Sequence, residues 1–276
     1  MTAEVRSGAQ SVERALLVLR AFESGPIDLG VTEIASRTGL SVSTAHRLVR
    51  ALCVGGLLRQ DPGTERYQLG PALVVLGRRA EEQLGYARTR PVLDELARAT
   101  GESVNLGIQS GDEVLVVLDV PSEQPLRFDQ AAGTRIPIHS SAMGKCLLAF
   151  SDNPDGVLDE LPRLRRLTDR TITNRPALRD ELQRTRERGW ALNDEERHAG
   201  VRTVAAPVPG AEGWAVAAVA VQGPAVRLDD GRLGDVAREL EATAKRLTPL
   251  LGAAGMTSTE RPASPPALLV PPRRER

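Results

Sequence analysis

Residues 39–50 read GLSVSTAHRLVR. A glycine, a leucine and a run of small hydroxylated residues lead into a histidine and two arginines at helical spacing. The glycine turns the chain, and Ser41 is placed to cap a helix by accepting a first-turn N–H. Ser43 and Thr44 are small enough for close approach to another molecule, and Arg47 carries a forked donor that matches guanine. Such a start describes either an ordinary solvated helix or one that enters the DNA major groove. The surroundings decide between them. Upstream, VTEIASRT (31–38) has the pattern of a short helix, with Thr32 as N-cap and Ile34 and Ala35 inward. Downstream, Ala45, Leu48 and Leu52 give the third helix an inner face as far as about Val54. Two helices joined by a glycine turn match a helix-turn-helix, whose second helix lies in the groove with its first residues on base edges.

Charge supports the sharper reading. The 276-residue chain carries 36 Lys+Arg and 36 Asp+Glu, a net charge of zero, so no global field draws it to nucleic acid. Between Glu33 and Asp61, however, there is no acidic residue, while Arg37, His46, Arg47, Arg50 and Arg59 all fall there. A local positive surface is what phosphate contact requires. The predicted DNA-contacting set is Thr32, Ser41, Ser43, Thr44, His46, Arg47 and Arg50. Arg66 adds a contact to a flanking phosphate or the minor groove. Arg37, Arg59 and Gln60 fit the rim.

The flanking segments complete a small domain. SVERALLVLRAFES (11–24) is apolar at Val12, Ala15, Leu16, Leu19 and Phe22, a single helix face capped by Ser11 and ended by Gly25-Pro26. LLRQDPGTERYQLG (57–70) holds two short extended runs around a Pro-Gly turn, a β-hairpin. Three helices and a hairpin make a winged helix-turn-helix over 11–70, after an arm at 1–10 that is expected to be disordered.

A linker helix is predicted over 71–88, with Pro71 in its first turn and Leu73, Leu76, Ala80 and Leu84 at helical spacing. A further helix is expected to start at Pro91, turn Leu93, Leu96 and Ala97 inward and end at Gly101. From residue 102 the pattern becomes α+β. ESVNLGIQ and DEVLVVLDV form a hairpin, LRFDQ (126–130) a third strand, and AAGTRIPIHSSA (131–142) a loop before the helix MGKCLLAFS. Mostly helical sequence follows over 155–189, then the strands VRTVAAPVP and GWAVAAVAVQG and a helix over about 229–251. Hairpins with helices at both ends predict an antiparallel α+β domain over 89–252. The Pro-rich tail 253–276 is expected to be disordered.

Several function classes are disfavoured. The first residues lack an apolar signal core and no apolar run approaches the ~18 residues of a membrane span, so a cytoplasmic protein without membrane contact is expected. Cys53 and Cys146 are the two cysteines, each alone in an apolar helical setting, which suggests neither a metal site nor a disulfide. Cys146 has no activating base among His46, His139 and His198. The cluster Asp194, Glu195, Glu196 and His198 has no second half; it is expected to be a solvated loop with Glu195 or Glu196 pairing with arginines. Lys145 is expected to be solvated or salt-bridged. No catalytic residue and no cofactor is predicted, and an enzyme or a protein-binding helix-turn-helix is the weaker alternative.

SVERALLVLRAFE, VTEIASRTGLSVSTAHRLVRAL, GTERYQLGPALVVLG, GTRIPIHSSAMGKCLLAF, RGWALNDEERHAGVRTVAAPV and AVAAVAVQGP run in one order over about residues 11–250. In these segments the chain resembles the IclR family of bacterial transcription regulators. The resemblance implies a winged helix-turn-helix, a linker helix and a GAF-like effector-binding domain with an antiparallel sheet. It further implies a double-stranded DNA operator, a small organic effector, and a homodimer, often paired into a dimer of dimers. Repression and activation both occur in the family.

The family's effector pocket borders the loop and helix at IPIHSSAMGKCLLAF. Here the N–H groups of Ala142, Met143 and Gly144 would leave a helix N-terminus suited to an anion. Other pocket positions in the family carry an acid, a cysteine and two serines; this chain has Asn193, Thr203, Ala220 and Gln222 there. Loss of the acid and the hydroxyls argues against a two- or three-carbon keto-acid. The expected ligand is larger, neutral or singly charged, held by Asn193, Thr203 and Gln222.

Overall fold

The acid-free stretch folds as two short helices around one glycine. In the computed structural model, which describes residues 3–23 and 25–252, α2 spans Val31–Thr38 and α3 spans Val42–Val54. Gly39 between them has φ +69°, a left-handed conformation that glycine adopts without strain. The Leu40 N–H donates back to Ala35 O, which closes the end of α2. Ser41 caps α3 by accepting the Thr44 N–H at 3.3 Å. Ala45, Leu48, Val49 and Leu52 are buried, so the inner face of α3 is the predicted one with Val49 added.

The cap of α2 differs from expectation. Gly30, not Thr32, is the N-cap residue, and its N–H donates to Glu33 Oε2 at 2.8 Å. A glutamate three residues into the helix supplies the partner that the hydroxyl of Thr32 was expected to give. Helix α1 also begins early: it spans Ala3–Arg20, so residues 3–10 of the expected arm are helical and Ser11 is interior. Ala, Glu, Arg and Gln in this segment favour helix, and Gly8 weakens it most. Its buried face is rotated as well. Val18 is fully buried, with Ala15, Leu19 and Phe22 packed beside it, while Val12 and Leu16 are 61% and 44% exposed. Residues 15–19 are apolar all round, so periodicity alone does not choose the face.

The wing is β1 (Leu58–Gln60) paired antiparallel with β2 (Tyr67–Leu69). Leu29 bridges to Tyr67 and adds a third extended segment. Asp61 Oδ1 accepts the Gly63 and Thr64 N–H groups, the turn chemistry the Pro-Gly signal implies. α4 spans Ala72–Leu84 and buries none of its side chains. The chain divides into two units, the first ending at Glu81 and the second beginning at Glu82.

In the second unit α5 spans Tyr86–Thr100 with Pro91 inside it, so it begins five residues before the expected start, directly after Gly85 at φ +77°. Leu93, Leu96 and Ala97 face inward as predicted, and Gly101 ends the helix. The strands are β3 (Ser103–Ser110), β4 (Glu113–Val120), β5 (Arg135–Pro137), β6 (Ala191–Asp194), β7 (Val201–Pro209) and β8 (Ala215–Pro224). They form one six-stranded sheet in the order β5-β4-β3-β8-β7-β6, with every pairing antiparallel. LRFDQ is not a strand; it belongs to an irregular strap between β4 and β5. The third strand is instead the three-residue β5, inside the expected loop, and β6 is an addition. Strands this short carry too few alternations to register as a period.

Alternation sorts the sheet's two faces. Val104, Leu106, Val204, Ala206, Val219 and Val221 pack with α5 and α9 (Asp230–Gly252). Ala191, Ala205, Ala218 and Ala220 pack on the other side with α6 (Ala142–Ala149) and α8 (Arg175–Arg188); α7 (Pro154–Glu160) completes that layer. Small residues here let α6 lie close to the strands. α6 is also seated on the 3₁₀ turn Ile138–Ser140 through Gly144, where an added Cβ would stand 2.0 Å from Ile138 O. The expected tail at 253–276 lies outside the described residues.

Gly144→Ala forces backbone apart rather than filling space. It will destabilise the protein by about 1–3 kcal/mol, the range for overpacking, measured as a lower midpoint in urea unfolding.

Candidate nucleic-acid interface and ligand pocket

Helix α3 separates its chemistry by face. While Ala45, Leu48, Val49 and Leu52 seal the core, Ser43, His46, Arg47 and Arg50 are exposed and Thr44 is half-buried. Among the described residues no carboxylate pairs with Arg47 or Arg50. Ser41 Oγ is occupied with Ser43 Oγ at 3.1 Å and Thr44 Oγ1 at 2.8 Å, so these hydroxyls are held at the helix start. Thr32 is exposed on α2. The result is a small, hydroxylated helix N-terminus followed by a basic ridge.

Arg66 does not join that ridge. Its Nε donates to Asp28 Oδ1 at 2.6 Å, and its Nη2 donates to Glu33 Oε2 at 2.7 Å and Asp28 O at 3.1 Å. The Gly30 amide and this guanidinium hold the Glu33 carboxyl below its ordinary range. Arg66 therefore ties the wing to α2. Arg37 donates to Ala21 O at 2.9 Å, and Arg59 to Gln68 Oε1, so both rim candidates have internal work as well.

The second candidate site lies on the α6 face of the large sheet. Register brings Ser103, Gln222, Thr203 and Asn193 into one row across β3, β8, β7 and β6. Asn105, Ala220, Ala205 and Ala191 form the next row. All eight are buried, and Met143 of α6 stands close to Gly107 beyond them. Asn193, Thr203, Ala220 and Gln222, named from two separate segments and lying on three strands, thus fall on one surface with Ala142, Met143 and Gly144 in the helix above. Ser103 and Asn105 went unpredicted. The signal was there, as polar residues at alternate positions in SVNLGIQ.

Two segments cover this row. The strap is anchored by Asn105 Nδ2 donating to Gln130 O at 2.9 Å, by Gln222 Nε2 reaching Phe128 O at 3.4 Å, and by the Ser122 N–H donating to Ser103 Oγ at 3.0 Å. Gln222 Nε2 also donates to Asn105 Oδ1 at 2.8 Å. The turn after β6 is anchored by the Glu196 N–H donating to Asn193 Oδ1 at 2.8 Å. Strap and turn meet where Arg197 Nη1 donates to Gln130 Oε1 at 2.8 Å and where the Phe128 and His198 rings lie 4.9 Å apart. Sequence offered no mark for Gln130 or Arg197.

Two expectations change here, for Gly144 and Glu196, while Lys145 is salt-bridged, one of its two expected states. The Gly144 N–H donates to Ser141 Oγ at 3.0 Å, so it is a capped amide and not an anion ligand. Lys145 is 1% exposed, and its Nζ donates to Glu196 Oε1 and to Leu192 O at 2.8 Å, with Glu181 at 3.9 Å. Glu196 is thus a buried counter-ion; burial raises its pKa and Lys145 opposes that rise. Glu195 does pair with an arginine, Arg170, at 3.4 Å. Cys146 donates to Ala205 O at 3.1 Å, and burial pushes its thiol up to about 12, which leaves no thiolate nucleophile at neutral pH. Among the described residues no His, Cys, Asp and Glu cluster could hold a metal ion, and no helix is long and apolar enough to cross a membrane.

Comparison with known proteins meets this geometry at both ends. A model for the IclR helix-turn-helix domain matches residues 11–62, and one for the bacterial transcriptional regulator IclR C-terminal matches 86–248. The chain is 38% identical over 251 residues to the HTH-type transcriptional regulator BhcR of Paracoccus denitrificans, covering 89% of this chain and 88% of that protein. It is 40% identical over 221 residues to the glycerol operon regulatory protein of Streptomyces griseus, covering 79% and 86%. An IclR-type transcriptional regulator from Alicyclobacillus acidocaldarius superposes with a TM-score of 0.80 at 27% identity, covering 88% of this chain and 99% of that one.

The Lys145–Glu196 pair is the part of this site most exposed to a single change. Lys145→Met leaves the Glu196 carboxylate buried without its partner and will cost about 3–5 kcal/mol. Adding Glu196→Leu removes that orphaned charge and will restore part of the loss, both measured by denaturant titration.

Proposed function

The chain belongs to the IclR family of bacterial transcriptional regulators, and from that premise we propose that α3 is its recognition helix and the polar row on the large sheet its effector site. It is a DNA-binding regulator whose C-terminal domain takes a small-molecule effector, in a family of regulators rather than enzymes. The observation that carries the recognition reading is the division of α3. One face seals the core, and the other presents Ser43, His46, Arg47 and Arg50 in a stretch with no acid between Glu33 and Asp61. The helix start, with Ser41, Ser43 and Thr44, is slim enough to enter the major groove, and Arg47 and Arg50 follow it inward. Thr32 on α2 fits a backbone contact. Arg66 serves this surface indirectly, by fixing the wing.

The domain roles follow: a DNA-binding part over 11–70, a linker over 71–88 and an effector-binding part over 89–252. The effector set is Asn193, Thr203, Ala220 and Gln222, joined by Ser103 and Asn105 and bounded by Ala142 and Met143; Gly144 seats the helix.

We further propose a homodimer acting in the cytoplasm. One helix reads too few base pairs for a specific site, and two-fold symmetry doubles the half-site. Val74, Val75 and Leu76 of α4 are 74%, 65% and 57% exposed, and with Leu69 they leave an apolar surface that a second copy would cover. Dimers of dimers fit the same reading.

Mobility shift against the promoter of the chain's own gene tests the recognition helix. Arg47→Ala or Arg50→Ala will weaken binding by ~1–3 kcal/mol where the arginine meets a base edge, and by less, with a shallower salt slope, where it meets phosphate. Binding that survives the double substitution defeats the assignment. Leu76→Arg with Val74→Arg will shift sedimentation toward the monomer and weaken operator binding with it.

A further inference from the structure

The polar row on the large sheet is shut. Ser103, Asn105, Asn193, Thr203, Ala220 and Gln222 are each 7% exposed or less. A small molecule that reaches them has to pass a covering segment, so one of the two covers has to move. The bonds that hold each cover decide which.

The turn at 195–200 is pinned from several elements. Thr168 Oγ1 donates to Glu195 O at 2.9 Å, and Thr171 Oγ1 donates to Glu196 O at 2.7 Å. The Gly200 N–H donates to Glu195 Oε2 at 2.7 Å, and Lys145 grips the Glu196 carboxylate. Moving this turn breaks a buried ion pair, which is costly.

The strap between β4 and β5 is held in another way. Among the described residues, 121–130 make no hydrogen bond from main chain to main chain. One end is tied by Ser122 Oγ, which donates to Gly101 O at 2.7 Å, and the other by the Ala132 N–H, which donates to Asp119 Oδ1 at 2.9 Å. Between these ties the alternate carbonyls of Leu126, Phe128 and Gln130 accept from the side chains of Arg227, Gln222 and Asn105. No strand ladder breaks when such a segment lifts, and water replaces each bond it gives up. Beyond Ala132 the chain turns at Gly133, φ +89°, where even an added Cβ would meet nothing within 4 Å. The backbone has room to swing there. The strap meets the turn through the Phe128 ring on His198 and the Gln130 side chain with Arg197, one apolar contact and one hydrogen bond.

We propose that the strap is the gate of the effector site. It lifts from the fixed turn, between its ties at Ser122 and Ala132, when the Phe128–His198 and Gln130–Arg197 contacts part. This rests on the effector-site reading above and adds the route of entry, with Phe128 and Gln130 as the latch.

The test needs no ligand. It is the rate at which N-ethylmaleimide labels Thr203→Cys in the full-length protein carrying Cys53→Ser, with the labelled position read by peptide mass spectrometry. Labelling should run at least ten-fold faster than global unfolding, because a local opening suffices. Phe128→Ala with Gln130→Ala should speed it three-fold or more. Phe128→Cys and His198→Cys, joined beforehand by dibromobimane, should slow it ten-fold or more. Labelling that only keeps pace with global unfolding overturns the proposal. So does a rate that the bridge leaves unchanged, or a cysteine pair that dibromobimane cannot join. Ala220→Cys is the second reporter if Thr203→Cys fails to fold. Operator binding by the fully labelled protein then tests the row separately. An adduct that alters DNA affinity supports the effector site; one that leaves it unchanged counts against that reading while the gate stands.

Discussion

An ammonium group cannot be buried alone, and much of the effector-domain geometry follows from how Lys145 meets that constraint. Its Nζ reaches Glu196 and the Leu192 carbonyl, so one side chain of α6 grips both β6 and the turn after it. Glu196 in turn donates its N–H to Asn193. Helix, edge strand and covering turn are fixed to one another through a single ion pair. Replacing such a pair with apolar side chains often does no harm to stability, so its value lies in the arrangement it enforces. Here the arrangement is the row that ends at Asn193.

Legibility in the sequence followed the range of the interactions. Helix α3 was readable because its signals are local: a glycine turn, a serine cap, an apolar period and an acid-free window all lie within about thirty residues of one another. The helix-turn-helix, the wing and the antiparallel sheet came from the same kind of signal. The ion pairs of Arg66 were not legible because its partners, Asp28 and Glu33, lie more than thirty residues away and nothing near Arg66 announces them. The three-residue β5 and four-residue β6 were lost because they are paired from outside, by β4 and β7. The face of α1 was ambiguous in principle, since residues 15–19 are apolar on every side.

The candidate pocket residues divide in the same way. Asn193, Thr203, Ala220 and Gln222 were reached through family resemblance, and register then gives a physical reason for grouping them: three are direct cross-strand neighbours or one step removed. Asn105 could have been found by alternation. Gln130 and Arg197 could not, because the contact by which they join strap and turn forms only in the folded chain.

The carboxamides of Asn193 and Gln222 suggest how occupancy is felt. Each has two ends. Asn193 uses Oδ1 to hold the turn at Glu196, and Gln222 uses Nε2 to hold Asn105 and the strap at Phe128. Their opposite ends, Nδ2 and Oε1, make no bond to another described residue. Under the effector reading, a ligand that engages those free ends acts on side chains that already anchor both covering segments. Its binding energy then depends on where strap and turn sit, which is the differential affinity a ligand needs to shift a conformational population. Apolar residues at 193 and 222 would still fill the row, but they would leave the cover indifferent to what lies beneath it.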